Sequence, residues 1–409
     1  MPSTLPAGEP APASGALPPA ALRWVGQRPF GIYVHVPFCA ARCGYCDFNT
    51  YTAEELGTGP DAVTRASYAD TALEELRLAQ YVLGERAPRV ATVFFGGGTP
   101  TLLPAAHLAA VLREVEDRFG LAPDAEVTTE ANPESVTAAY LGRLREAGFT
   151  RVSLGMQSAR PHVLAVLDRR HTPGRAAEAV AEAKRAGFRH VNLDLIYGTP
   201  GESEADWQAS LDAAIAAGPD HVSAYSLVVE DGTALARRVA RGELPAPDDD
   251  LLADRYAQAD ETLSRSGYAW YEVSNWARGV SARSRHNRLY WTGADWWGVG
   301  PGAHSHVGGV RWWNVKHPAL YAARLHAGVS PAQAREVLGD RSRRLERLLL
   351  GLRLREGLAL GELSPSGKDA ASRAMTYGLL ERQAHAEGRA VLTLRGRLLA
   401  DAVVRDLAD

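Results

Sequence analysis

Residues 30–46 read Phe30-Gly31-Ile32-Tyr33-Val34-His35-Val36-Pro37-Phe38-Cys39-Ala40-Ala41-Arg42-Cys43-Gly44-Tyr45-Cys46, an apolar run that feeds into a loop holding every cysteine of the 409-residue chain. The C-x-x-x-C-x-x-C spacing brings three thiolates to one metal centre and leaves one coordination position without a cysteine. Open positions are where metals do chemistry, whereas closed four-ligand sites are structural. Thiolates favour zinc or iron–sulfur clusters. The odd cysteine count argues against a disulfide framework. Zinc wants a fourth ligand; His35 is near, but no second Cys/His pair stands at zinc-ribbon spacing. A 4Fe–4S cluster on Cys39, Cys43 and Cys46, with its fourth iron open to a small chelating molecule, fits better.

Outward from this loop the sequence alternates. Short apolar runs at 30–36, 90–95, 126–129, 151–154, 190–196 and 221–227 are separated by amphipathic stretches at 67–83, 104–119, 138–147, 161–167, 175–186 and 204–216. Strands alternating with helices predict an α/β fold with a parallel sheet of βαβ units. Six such units suit a partial or complete barrel, and a doubly wound open sheet is the alternative. In a parallel barrel, chemistry collects at the strand C-termini. There the chain places the cysteine loop, Gly96-Gly97-Gly98-Thr99-Pro100, Glu130-Ala131-Asn132-Pro133, Gly155-Met156-Gln157-Ser158 and, around Asp194, Tyr197-Gly198-Thr199-Pro200-Gly201.

Composition narrows the function classes. A net charge of −3 gives no case for nucleic-acid binding. No apolar run reaches the roughly 18 residues that span a bilayer. Residues 1–22 are rich in Ala and Pro without a basic start, as in a flexible tail rather than a targeting signal. A cytoplasmic setting suits a cluster with open iron, peripheral membrane contact stays open, and a homodimer is compatible with the sequence.

The loops have bland and functional readings. Gly96–Gly98 predicts a turn with unpaired N–H groups that a ligand approaches closely; no Gly-Lys-Ser/Thr follows, so it is not a Walker loop. Glu130 at a strand end suits two ribose hydroxyls, or is simply the lead-in to a helix begun by Asn132 and Pro133. Gln157 and Asp194 are polar groups at strand ends that serve a ligand or the fold equally well. Arg169 is a ligand contact or surface charge, and His171 reads as structural. In Arg285-His286-Asn287-Arg288-Leu289-Tyr290-Trp291, a histidine among aromatics suits an iron-porphyrin, with imidazole for the metal and Arg285 and Arg288 for propionates; such a cluster is also ordinary packed structure.

Taken together, Tyr33-Val34-His35-Val36-Pro37-Phe38-Cys39, the cysteine triplet, Gly-Gly-Gly-Thr-Pro, Glu130, Gln157 and Asp194-Leu-Ile-Tyr-Gly-Thr-Pro-Gly resemble the oxygen-independent coproporphyrinogen dehydrogenase-like branch of the radical S-adenosylmethionine enzymes. The resemblance runs from about residue 29 to the C-terminus. Within that branch, Tyr45-Cys46-Asp47-Phe48 and His286-Asn287-x-x-Tyr290-Trp291 are similar to its heme chaperones. The resemblance implies a partial (β/α)6 TIM-like barrel with a C-terminal, mostly helical, winged-helix-like domain. It implies a 4Fe–4S cluster on Cys39, Cys43 and Cys46. It assigns S-adenosylmethionine to Tyr33, Gly97, Gly98, Thr99, Glu130, Gln157, Arg169 and Asp194, and heme to His286, Asn287, Tyr290 and Trp291. The implied task is to hold heme and pass it to respiratory heme proteins. The dehydrogenases carry a further cysteine where this chain has Phe48, which argues against decarboxylation of coproporphyrinogen III. A DNA-binding regulator has little support. The expected divisions are a tail at 1–28, a barrel at 29–265, a connecting segment with the histidine motif at 266–330, and a C-terminal domain at 331–409.

Overall fold

A computed structural model describes residues 7–57 and 63–408. Six parallel strands lie side by side in sequence order: β1 (Phe30–Val36), β2 (Val90–Gly97), β3 (Leu121–Ala131), β4 (Arg151–Gln157), β5 (His190–Tyr197) and β6 (His221–Ser226). Ile32, Val34 and Val36 of β1 are fully buried, as expected of a parallel strand covered on both faces. Each such side chain contributes about 1.5–3 kcal/mol of hydrophobic stabilisation. Helices Tyr68–Leu83, Ala105–Phe119, Ala138–Glu146, Arg175–Arg185 and Glu204–Ala217 make the crossovers. Their starts are encoded locally: Ser203 and Asp206 form a reciprocal capping box, and Thr137 caps the third helix.

The ring is not closed by β1 and β6. Asp295–Val299 adds in parallel to β1, and the hairpin strands His304–Val307, Val310–Asn314 and Ala332–Val337 extend that edge antiparallel. At the other edge β6 pairs antiparallel with Asn275–Ala277, and that strand with Ala269–Glu272. The result is a partial barrel in a 13-stranded sheet, as the resemblance implies, rather than the doubly wound sheet that the alternation also allowed.

Two expected divisions shift. Residues 1–6 of the expected tail lie outside the described residues, but Glu9–Pro10 pairs with Ala334 and Arg335 at the sheet edge. Leu17 and Ala21 are buried against the core, so apolar contact anchors a segment whose composition reads as flexible. Residues 332–337 form a strand of the main sheet rather than the start of a separate domain. A second core, including Leu348, Leu352, Leu380, Val403 and Leu407, begins with helix Asp340–Gly351. It packs helices around a two-stranded ribbon of Leu358–Ala359 and Arg389–Ala390. Arg397 fastens this unit to the barrel side, donating to Asp260 at 2.7 Å and covering the Trp270 ring.

Candidate functional site

The C-terminal ends of the six strands open into a cavity of about 1440 Å³. Single small-molecule pockets are typically about 300–1,000 Å³. All three cysteines line it, with Gly97, Gly98, Thr99, Glu130, Gln157, Arg169 and Asp194. The cysteine loop is tied down on three sides. Cys39 N–H donates to Tyr51 O at 3.0 Å, Gly44 N–H to Leu167 O at 3.0 Å, and Leu235 N–H to Gly44 O at 2.8 Å. Burial pushes the Cys39 thiol up and the Cys46 thiol up to about 11, so both need a cation to be thiolates at neutral pH. A coordinating metal deprotonates them outright.

The donor set fits a cluster. Three soft thiol donors line the wall of one cavity, and three thiolates that each take an iron and leave the fourth open suit an iron–sulfur cluster.

The glycine loop has a different reason from the one expected. Its N–H groups are not unpaired: Gly97 donates to Glu130 Oε2 at 3.1 Å, Gly98 to Val36 O at 2.8 Å and Thr99 to Phe38 O at 2.7 Å. The glycines are needed for close packing. Gly97 has φ +109° and any Cβ there would meet the His35 ring at 2.7 Å; a Cβ on Gly98 would strike the Phe38 carbonyl and approach Cys39 Sγ to 3.0 Å. The loop thus holds the cysteines in place.

Glu130 and Asp194 make a half-buried acidic pair in the cavity wall. Burial, then the neighbouring Asp194 charge, pushes Glu130 up to about 8. Burial also raises Asp194, which accepts from Ser153 Oγ at 2.9 Å and Asn192 Nδ2 at 2.7 Å. Gln157 sits at φ +59° beside a register shift of β4 against β5, which turns its side chain into the cavity. Tyr33 is not in the lining. It lies behind Gly96, and its hydroxyl meets His35 Nδ1 at 3.0 Å while His35 Nε2–H donates to Asn49 O at 2.8 Å. Burial lowers His35 to about 4 and keeps it neutral.

Sequence reasoning passed over Ser153, Asp168 and Tyr225 and read His171 as structural, yet all four line the cavity. The period-2 pattern of β4 puts Ser153 on the same face as Gly155, a signal present in the sequence. Asp168 and His171 lie in a loop with no such pattern.

The candidate heme residues do not join this cavity. Helix Arg285–Trp291, capped by Ser284, meets the barrel near the strand starts, where His286 reaches Thr92 of β2 and Glu126 of β3. Buried Arg151 ion-pairs with Glu126 at 3.1 Å and donates to Ala282 O, while Glu126 accepts the His286 N–H at 3.0 Å. The His286 ring is 1% exposed and stacks on Phe94 at 5.0 Å. Its Nδ1 meets Thr92 Oγ1 and its Nε2 meets Tyr290 Oη, both at 2.8 Å. Burial lowers it to about 3. In this arrangement neither ring nitrogen is free for iron. Asn287, Tyr290 and Trp291 are half-buried on the same helix.

A partial parallel barrel whose strand ends carry three cysteines, a glycine loop and a pair of carboxylates defines a radical SAM protein, and residues 33–214 match the Radical SAM superfamily. The chain is 58% identical over 381 residues to the Heme chaperone HemW of Mycobacterium tuberculosis, covering 93% of this chain and 95% of that one. It is 35% identical to the Heme chaperone HemW of Synechocystis, covering 82% and 80%. The chain belongs to the heme chaperone HemW family. Its fold is shared with the Escherichia coli radical SAM enzyme coproporphyrinogen III oxidase (HemN), at TM-score 0.79, 22% identity and 95% and 92% coverage.

Proposed function

We propose that this chain binds heme and passes it to respiratory heme proteins, from a core that holds a 4Fe–4S cluster and S-adenosylmethionine. The 58% identity to a curated heme chaperone along 93% of the chain carries the reading. Cys39, Cys43 and Cys46 would hold the cluster. When bound, it supplies one electron to the sulfonium of S-adenosylmethionine. Glu130 and Asp194 would accept the ribose hydroxyls, while Gly97, Gly98 and Thr99 would admit the methionyl end close to the backbone. Gln157 and Arg169 would orient it from the wall of the cavity, and Tyr33 would act from behind Gly96.

The proposed heme ligand is His286, with Asn287, Tyr290 and Trp291 beside it. Capture then requires the imidazole to give up one of its two hydrogen bonds. Each is worth about 0.5–1.5 kcal/mol net, well within what a metal–imidazole bond and macrocycle burial return. The partner proposed to release the imidazole is Tyr290, one turn along the same helix. Delivery to respiratory recipients would bring the chain to a membrane surface; no helix among the described residues is long and apolar enough to cross one.

Anaerobic reconstitution followed by heme titration tests the reading. A saturable Soret shift supports it, and its absence overturns it. Conversion of coproporphyrinogen III to protoporphyrinogen IX by the same sample, with reductant and S-adenosylmethionine, would favour the dehydrogenase reading that Phe48 argues against.

A further inference from the structure

We propose that Arg169 is a positioning residue that raises the reduction potential of the cysteine-bound centre, an assignment that rests on the cluster reading above. The guanidinium is spent on three anchors, from the cysteine loop, from β4 and from its own segment. Nη1 points at Cys43 Sγ at 3.5 Å, Nη2 at Gly155 O of β4 at 3.4 Å, and Nε donates to His171 Nε2 at 3.0 Å. A planar fork held at three points has one orientation, and that orientation aims an N–H at a ligand sulfur.

The segment around it is built to hold this geometry. Asp168 takes the left-handed conformation at φ +50°, a costly choice for a residue other than glycine. That turn is fixed by Arg169 N–H donating to Leu164 O at 2.9 Å, and by Gly44 N–H donating to Leu167 O at 3.0 Å. The second bond joins the turn directly to the cysteine loop. A Cβ on Gly44 would meet the Asp168 carboxylate, which lies against the cysteine loop there. The His171 imidazole, lowered to about 4 by burial and then by the Arg169 charge, is neutral and accepts from Nε. Loop and guanidinium therefore move as one piece.

Hydrogen bonds to cluster sulfurs and nearby positive charge are levers that set iron–sulfur potentials. Reduction adds negative charge to the centre. A fixed cation beside Cys43 stabilises the reduced form more than the oxidised one and moves the potential upward. Arg169 thereby makes the centre easier to reduce before any substrate is bound. A role confined to S-adenosylmethionine contact predicts no such effect in its absence.

The test is an EPR-monitored redox titration of the anaerobically reconstituted full chain without S-adenosylmethionine, comparing the parent with Arg169→Gln, Arg169→Lys and Arg170→Gln. Arg170 is the exposed neighbour at the same cavity. Expected are a potential more negative than the parent's in Arg169→Gln, an intermediate one in Arg169→Lys, and the parent value in Arg170→Gln. An unmoved potential in Arg169→Gln overturns the assignment, as does an equal shift in Arg170→Gln. If Arg169→Gln takes up no iron, Arg169→Lys decides: a lowered potential supports the assignment, whereas an unchanged one or loss of iron there too overturns it. A parent chain that takes up no iron overturns the cluster reading and this assignment with it; a loaded parent with unmoved variants overturns the assignment alone.

Discussion

Glu130 on β3 accepts the N–H of Gly97 on β2 at 3.1 Å, so the acid expected to bind ribose also fastens the glycine loop that packs on the cysteines. Glu130→Gln should weaken S-adenosylmethionine binding by roughly 2–10-fold, the equivalent of about 0.5–1.5 kcal/mol for a hydrogen bond from a largely neutral carboxyl. Isothermal titration on reconstituted protein measures this. An unchanged affinity would remove Glu130 from the site.

The same residue makes a pH prediction. Its folded value, about 8, lies above its ordinary 4.5. Its contribution to stability is therefore fully present below about pH 4.5 and is lost as pH rises through 8. In urea melts of the metal-free chain, Glu130→Gln should flatten the fall in stability across that window. Parallel curves for parent and variant would contradict the burial argument.

Gly98→Ala should leave the fold intact and deplete iron. The added Cβ meets the Phe38 carbonyl, which is backbone and cannot rotate away, and crowds Cys39 Sγ. Iron content after reconstitution should drop several-fold while circular dichroism stays at the parent spectrum. Full loading would show that the loop has room the packing denies.

His286 and Tyr290 separate ligand from lock. His286→Ala should abolish the Soret shift if the imidazole takes the iron. Tyr290→Phe frees Nε2 while Thr92 retains Nδ1, so heme should bind at least as tightly as to the parent. Loss of heme binding in both variants, or in neither, would contradict the ligand assignment.

Glu75 tests the support on the other side of the barrel. Its carboxylate accepts from Gly300 N at 2.8 Å, Asn314 Nδ2 at 2.8 Å and Tyr321 Oη at 2.5 Å. Burial still pushes it up to about 7. Glu75→Ala strands three donors and should cost about 3 kcal/mol in denaturant unfolding. A loss below about 0.5 kcal/mol would mean that water replaces the carboxylate.

Much of the fold is legible because its signals are local. The six parallel strands and their crossover helices follow the apolar periodicity to within a few residues at each end. The strand Ala332–Val337 is missed because Gln333, Arg335 and Glu336 give it the composition of a helix; its place is set by pairing with Val310–Asn314, a long-range cause. The cysteine loop and its surrounding residues are legible because each follows a strand end. The seat of His286 is not: a histidine among aromatics reads the same on a cavity wall and in a sealed core. The difference lies in Thr92 and Glu126, far away in sequence.

Heme titration of the reconstituted parent chain, followed by Soret absorbance, tests the central claim most directly. Saturable binding in a sample that also carries a four-iron cluster is the predicted result. A loaded cluster with no Soret shift at any heme concentration would contradict it.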